Sequence, residues 1–145
     1  MNIRAMATRA VVTTSAVAAA VMLAGTQSAS ASVDDSFAVA TTGGKCGQVN
    51  FVDYGPGAPG GGNNDDYAVI HDYCSDGKGV RAYAWVDGKY LGAKNNTSGL
   101  KGNPVVWDPF GNVKSGSSVG LKVCLFNTSN TLSNCASYTK TRVDG

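Results

Sequence analysis

The chain has 145 residues and a formal charge of +2; 43% of it is hydrophobic and only 15% charged, with 19 glycines, four cysteines and one histidine. All ten acidic residues are aspartates, and because Asp and Gly favour turns whereas Glu favours helix interiors, the composition argues against a helical bundle or coiled coil. The charge is too small for a nucleic-acid binder, and four cysteines with a single His71 leave little material for a zinc site, so no metal and no other cofactor is expected.

In chain order, Arg4 and Arg9 precede an apolar stretch from Ala10 to Gly25, and Ala29-Ser30-Ala31 offers the small-x-small pattern of signal-peptide cleavage. The stretch is too short for the roughly 20 residues of a membrane span. Residues 1–31 are therefore read as a signal peptide, and the remaining chain as a secreted, extracellular domain that keeps no membrane segment after cleavage. Ser32 to Gly44 has no cysteine, carries Asp34 and Asp35 ahead of Phe37 and Val39, and ends in Thr41-Thr42-Gly43-Gly44. It reads as a flexible N-terminal arm, residues 32–44, that could add a strand to a partner's sheet edge, with Asp34, Asp35, Phe37 and Val39 as partner-binding residues.

From residue 45 onward the pattern is that of β-strands and turns. Val49 to Tyr54 is strand-like and runs into the glycine- and proline-rich Gly55 to Asp66, which is a loop. Tyr67 to Cys74 returns as a strand. Val80 to Val86, Asp87-Gly88 and Lys89 to Ala93 form a hairpin, since Asp-Gly suits the positive φ angles of a type I′ turn. That register sets Val86 opposite Lys89 and Trp85 opposite Tyr90. Lys94 to Asn103 reads as a polar connection, Val105 to Trp107 as a short strand stopped by Asp108-Pro109, and Val119 to Phe126 as a half-buried strand of period two. Thr131 to Cys135 and Ala136 to Val143 supply the last strands. About seven short strands between turn signals predict an antiparallel β-sandwich, immunoglobulin-like, over residues 45–145, with a small barrel as the alternative.

In an oxidising compartment, Cys46, Cys74, Cys124 and Cys135 make two disulfides, with three possible connectivities. Sequential pairing is favoured. The polar Asn127-Thr128-Ser129-Asn130 turn lets a hairpin bring Cys124 to Cys135, which leaves Cys46 for Cys74.

Charge divides along the chain. From Ser32 to Asp76 there are seven aspartates and one Lys45, whereas Gly77 to Gly145 carries nine basic residues and three aspartates. The halves are −6 and +6, which implies either a polar binding surface or internal pairing of one half with the other.

No catalytic set is predicted. Gly55-x-Gly57-x-x-Gly60 contains prolines and precedes no helix, so it is not a dinucleotide site. Gly116-Ser117-Ser118-Val119-Gly120 matches a hydrolase elbow in letters but opens a strand, with His71 as the lone imidazole. Asp65 and Asp66 are adjacent in a loop, where nothing sets them across a sugar, and Asn63-Asn64-Asp65-Asp66 lacks the spacing of a calcium loop. Tyr83, Trp85, Tyr90 and Trp107 fit either a core or a sugar-stacking platform, with Trp85, Tyr90 and Trp107 the candidate ligand residues.

Phe51-Val52-Asp53-Tyr54-Gly55-Pro56-Gly57, Val105-Val106-Trp107-Asp108-Pro109-Phe110, Val119-Gly120-Leu121-Lys122-Val123-Cys124 and Val143-Asp144-Gly145 resemble small secreted two-disulfide proteins of actinobacteria. Within that group the chain is similar to the adaptor subunits of Streptomyces umbrella toxin particles. The resemblance spans most of the mature chain. It implies a noncatalytic protein-interaction module that bridges a lectin-like subunit to a toxin-bearing subunit in interbacterial competition, using an extended N-terminal segment that Ser32 to Gly44 would match. The alternatives are a carbohydrate or cell-wall binding domain, or a hydrolase inhibitor presenting the Gly55 to Asp66 loop.

Overall fold

Alternation of apolar and polar residues governs the central strands of the computed structural model, which describes residues 33–55, 57–58 and 64–143. The expected signal peptide lies outside the described residues, as does the middle of the Gly55 to Asp66 loop. Eight strands are present among the described residues: β1 (Phe37–Ala40), β2 (Gly47–Val52), β3 (Tyr67–Asp72), β4 (Gly79–Val86), β5 (Lys89–Asn96), β6 (Val105–Trp107), β7 (Ser118–Phe126) and β8 (Leu132–Thr141). They form two antiparallel sheets, ordered β1-β2-β3-β6 and β5-β4-β7-β8. This is the expected small antiparallel β-sandwich: β2-β3-β6 against β5-β4-β7-β8 follows the A-B-E and C′-C-F-G order of immunoglobulin-like sandwiches, with β1 added at one edge.

The core is aliphatic apart from one ring. Val39, Val49, Phe51, Ala68 and Ile70 of the first sheet are buried with Val80, Ala82, Ala84, Val119, Leu121, Val123 and Leu125 of the second. Every second residue of β2 is buried, and Gly47 is among them because a Cβ there would meet the Val80 methyls at 2.8 Å. Both disulfides are as expected, Cys46–Cys74 and Cys124–Cys135. The β4–β5 hairpin keeps the expected register, with Val86 opposite Lys89 and Trp85 opposite Tyr90, and Asp87 and Gly88 take φ of 50° and 76° at the turn.

Three boundaries differ from the sequence reading. The expected connection from Lys94 begins as strand, since β5 continues to Asn96, whose buried side chain donates to the Ile70 carbonyl at 2.8 Å and ties the sheets together. The last two expected strands are the single β8, kinked by a bulge opposite Val123–Leu125 with Asn134 at φ 52°.

The third difference is the arm. Residues 37–40 are not a free segment: β1 pairs with β2, Phe37 opposite Phe51 and Val39 opposite Val49. Apolar side chains on one side of a short strand are most stable on the nearest unfilled sheet edge, and the domain's own β2 offers it.

Candidate functional site

Two assemblies of polar and aromatic residues stand out, one buried and one on the surface. The buried one is centred on Arg142, just beyond β8. Its guanidinium bonds Asp53 and Asp66, and its Nε lies 3.7 Å from Asp35 Oδ2; all four side chains are almost wholly removed from solvent. The ring of Phe51 lies 5.3 Å from the guanidinium carbon. Lys140 Nζ reaches Asp35 Oδ1 at 3.0 Å, and the Val143 amide donates to Asp35 Oδ2 at 2.6 Å. The second oxygen of each of the Asp53 and Asp66 carboxylates accepts a backbone donor, Asp35 N to Asp53 Oδ2 at 2.7 Å and Val113 N to Asp66 Oδ2 at 2.6 Å. The Val143 amide, with Lys140 and Arg142, holds the Asp35 carboxyl below its ordinary value against the opposing effect of burial.

This cluster resolves part of the charge polarity. Asp35, Asp53 and Asp66 come from the acidic half, Lys140 and Arg142 from the basic half, and they pair inside the fold. It also corrects the partner-binding set. Asp35 is a buried anchor, Val39 is core, and Phe37 packs 5.6 Å from the Phe51 ring and 5.5 Å from that of Tyr138. Asp34 alone of the four is exposed, and its carboxylate, accepting from the Ser36 hydroxyl and then the Ser36 amide, has its pKa lowered. Nor is Asp66 a solvated loop residue: it is the carboxylate that carries the loop's end into the core.

The other chemical candidates stay apart. His71 is on the first sheet, 3.4 Å from the Asn50 amide nitrogen and stacked on Tyr73, and burial lowers its pKa. Ser118 is on the second sheet, its amide donating to Asp87 Oδ1 at 2.7 Å. Among the described residues no group of His, Cys and Asp is arranged to hold a metal ion, and no helix is long and apolar enough to cross a membrane.

The surface assembly is the outer face of the second sheet. On β4 the inward residues are Val80, Ala82 and Ala84, so Arg81, Tyr83 and Trp85 point away from the core. The turn aligns Tyr90 with Trp85, and just beyond that pair a bulge in the β4–β5 pairing makes Leu91 the extra residue, with Gly92 at φ 135°. The three rings run in series. Tyr83 and Trp85 stack at 6.2 Å with 22° between planes, and Trp85 meets Tyr90 at 5.5 Å. Beside Trp85 lies a groove of about 370 Å³ walled by Lys122, Ser137 and Thr139. Gly120 forms its floor, since a Cβ there would come within 3.2 Å of Thr139 Oγ1. On the other side of the rings Arg81, Tyr83, Tyr90, Lys94 and Asn95 line a second, open depression of about 660 Å³.

Trp85 and Tyr90 of the expected platform thus lie together, joined by Tyr83. Trp107 does not: it is on β6 of the first sheet and packs against the core. Sequence reasoning missed Arg81, Lys122 and Gly120 as parts of the face, although the period-two run Arg81, Tyr83, Trp85 beside Val80, Ala82, Ala84 holds the signal.

The fold and this face define a two-disulfide β-sandwich with an aromatic, cation-rimmed sheet surface. No protein-family model matches the chain, and neither does any curated protein or solved structure.

Proposed function

We propose that the protein is a secreted, noncatalytic polysaccharide-binding domain that stacks sugar rings on Tyr83, Trp85 and Tyr90. The observation that carries this reading is the aromatic series itself: three contiguous rings lie outside a core that is filled without them. Tyr90 is 54% exposed. Contiguous aromatic surface held by a rigid sheet mainly serves recognition, because it is costly to leave in water and adds little to folding. Hydroxyl and ammonium groups of Ser137, Thr139 and Lys122 along the adjoining groove suit the hydroxyls of a sugar. The separation of His71 from Ser118, and the structural use of Asp66, support a noncatalytic role. The two disulfides support an extracellular site of action.

Retention on insoluble cell-wall polysaccharides, compared for the wild type and Trp85→Ala, tests the reading. The variant is expected to fold, because Trp85 is not a core residue, and to lose retention. Equal retention of both proteins would overturn the platform.

A second reading, the adaptor role that the resemblance implies, has support in a different place. Tyr138 is 55% exposed and packs edge-on against Phe37 where β1 and β8 meet. A bridging module would use that seam rather than a free arm, and Tyr138→Ser would then reduce co-purification of lectin-like or toxin-bearing proteins from culture medium.

A further inference from the structure

The charge on the aromatic face is one-sided. None of β4, β5, β7 or β8 contains an acidic residue, whereas they carry Arg81, Lys89, Lys94, Lys122 and Lys140. Lys140 is taken up by Asp35 inside the fold. Two of the others flank one ring: Arg81 shares the depression lined by Tyr83, and Lys122, opposite Tyr83 on β7, has its Nζ 5.5 Å from the Tyr83 centroid. Lys94, by contrast, pairs with the inward Ala82 and leaves from the other face of the sheet. Asp87, the carboxylate of the β4–β5 turn, is already bonded to the Ser118 amide.

Arg81 is held in place by neutral groups. Its Nε donates to Asn95 Oδ1 at 2.8 Å, one terminal nitrogen donates to Asn130 Oδ1 at 2.9 Å, and the Phe126 ring lies 4.6 Å from its central carbon. Two amides and a ring fix the guanidinium without neutralising it. A second terminal nitrogen remains in the fork, and such a fork matches a carboxylate in plane.

We infer that the ligand is an acidic polysaccharide of the uronic-acid class, with a sugar ring stacked on Tyr83 and its carboxylate held by Arg81 and Lys122. This deepens the polysaccharide-binding reading and rests on it. A uronic acid carries its carboxylate on the pyranose ring, so a ring lying on Tyr83 projects the anion sideways, toward Arg81 and Lys122 on either side of it. A polymer of phosphodiesters without sugar rings would use the cations but leave the aromatic series idle, so charge and rings together select the uronate.

The test is titration of the folded, disulfide-bonded protein with polygalacturonate, its methyl ester, a neutral glucan, polyglutamate and polyglycerol phosphate. Polygalacturonate is expected to bind, more weakly as salt is raised. Methyl esterification, which keeps every ring and removes the charge, is expected to weaken binding about tenfold or more, as is Arg81→Gln, the loss anticipated for a hydrogen bond to a charged group. Lys122→Gln, on the outer face beside Tyr83, is expected to act in the same direction. Polyglutamate and polyglycerol phosphate are expected to bind at least about tenfold more weakly than polygalacturonate, for want of rings to stack. Equal binding of the ester, or preference for the neutral glucan, would overturn the acidic class while leaving polysaccharide binding in place. Equal binding of polyglutamate or polyglycerol phosphate would show a surface that reads charge alone and would overturn the uronate. Unchanged affinity in both variants would overturn the assigned residues. Binding of none of the polymers would overturn this inference and the polysaccharide reading together.

Discussion

Lys140 Nζ lies 3.0 Å from Asp35 Oδ1, an ion pair that ties the segment before the first strand to the last strand of the opposite sheet. The Val143 amide bonds the same carboxylate across 108 positions of sequence. A four-residue edge strand gains few ladder bonds of its own, so these long-range contacts keep β1 on the domain. Removal of residues 32–42 is accordingly expected to lower stability rather than leave the body untouched, with earlier loss of the near-ultraviolet signal on heating as the measure.

Arg142 is the shared cation of the buried cluster. Substitution Arg142→Met would leave Asp35, Asp53 and Asp66 facing one another without a guanidinium, and breaking a buried pair in this way costs about 3–5 kcal/mol. Denaturant unfolding should show that loss, and a domain of this size could fail to fold altogether. Arg142→Lys is expected to recover only part of it, because the three donors of an ammonium sit on one nitrogen and cannot span the two carboxylates that Arg142 reaches with separate guanidinium nitrogens.

Acid should weaken the fold through Asp35. Its folded-state pKa is held below the ordinary value of 3.8 by the Val143 amide, with Lys140 and Arg142 adding to the effect. The folded state therefore binds the proton less readily than the unfolded chain. Its contribution to stability is fully present above the ordinary value and is lost as pH falls below it, through the lowered value. Unfolding midpoints recorded from neutral pH down to pH 2 are expected to drop most steeply in that lowest range, and Asp35→Asn should flatten the drop while lowering stability at neutral pH.

Asp72 has the opposite sign. It ends β3 at 6% exposure, its Oδ1 accepts the Cys74 amide at 3.4 Å, and the Gly99 backbone also faces its carboxylate, contacts that oppose the effect of burial without cancelling it. Burial raises its pKa. A raised carboxyl destabilises the fold above its folded-state pKa, and the cost disappears as pH falls to the ordinary value. Asp72→Asn is expected to raise stability at neutral pH by up to about 1 kcal/mol, since a buried neutral amide is less costly than a buried charge. The advantage should vanish in acid.

Gly120 separates binding from folding. A Cβ there would stand 3.2 Å from Thr139 Oγ1 and 3.6 Å from Trp85 Cβ, in the groove beside the rings. The exposed Thr139 hydroxyl can rotate away, so Gly120→Ala should unfold close to the wild type. Gly120→Val would fill more of the groove and, in titration with the bound polysaccharide, is expected to weaken affinity about tenfold if a sugar sits against Trp85. Phe51→Ala is the counterpart: it removes the one fully buried ring of the core and should cost about 3–5 kcal/mol in unfolding experiments.

Local chemistry made much of this protein legible from its residues. The Asp87-Gly88 turn and the alternation around it set the hairpin and placed Trp85 against Tyr90, because turn type fixes register over a few residues. The compartment implied by residues 1–31 and the polar turn at 127–130 pointed to Cys46–Cys74 and Cys124–Cys135, since both follow from short-range pattern. Tertiary structure alone decided which sheet edge Phe37 and Val39 would cover. It also placed Asp35, Asp53 and Asp66 on one guanidinium, an association across 76 positions between Asp66 and Arg142 that no local signal carries. The place of Trp107 was likewise a tertiary decision. The alternation on β4 separates Tyr83 and Trp85 from Val80, Ala82 and Ala84, but in the three-residue β6 only the packing of two sheets sent Trp107 toward the core.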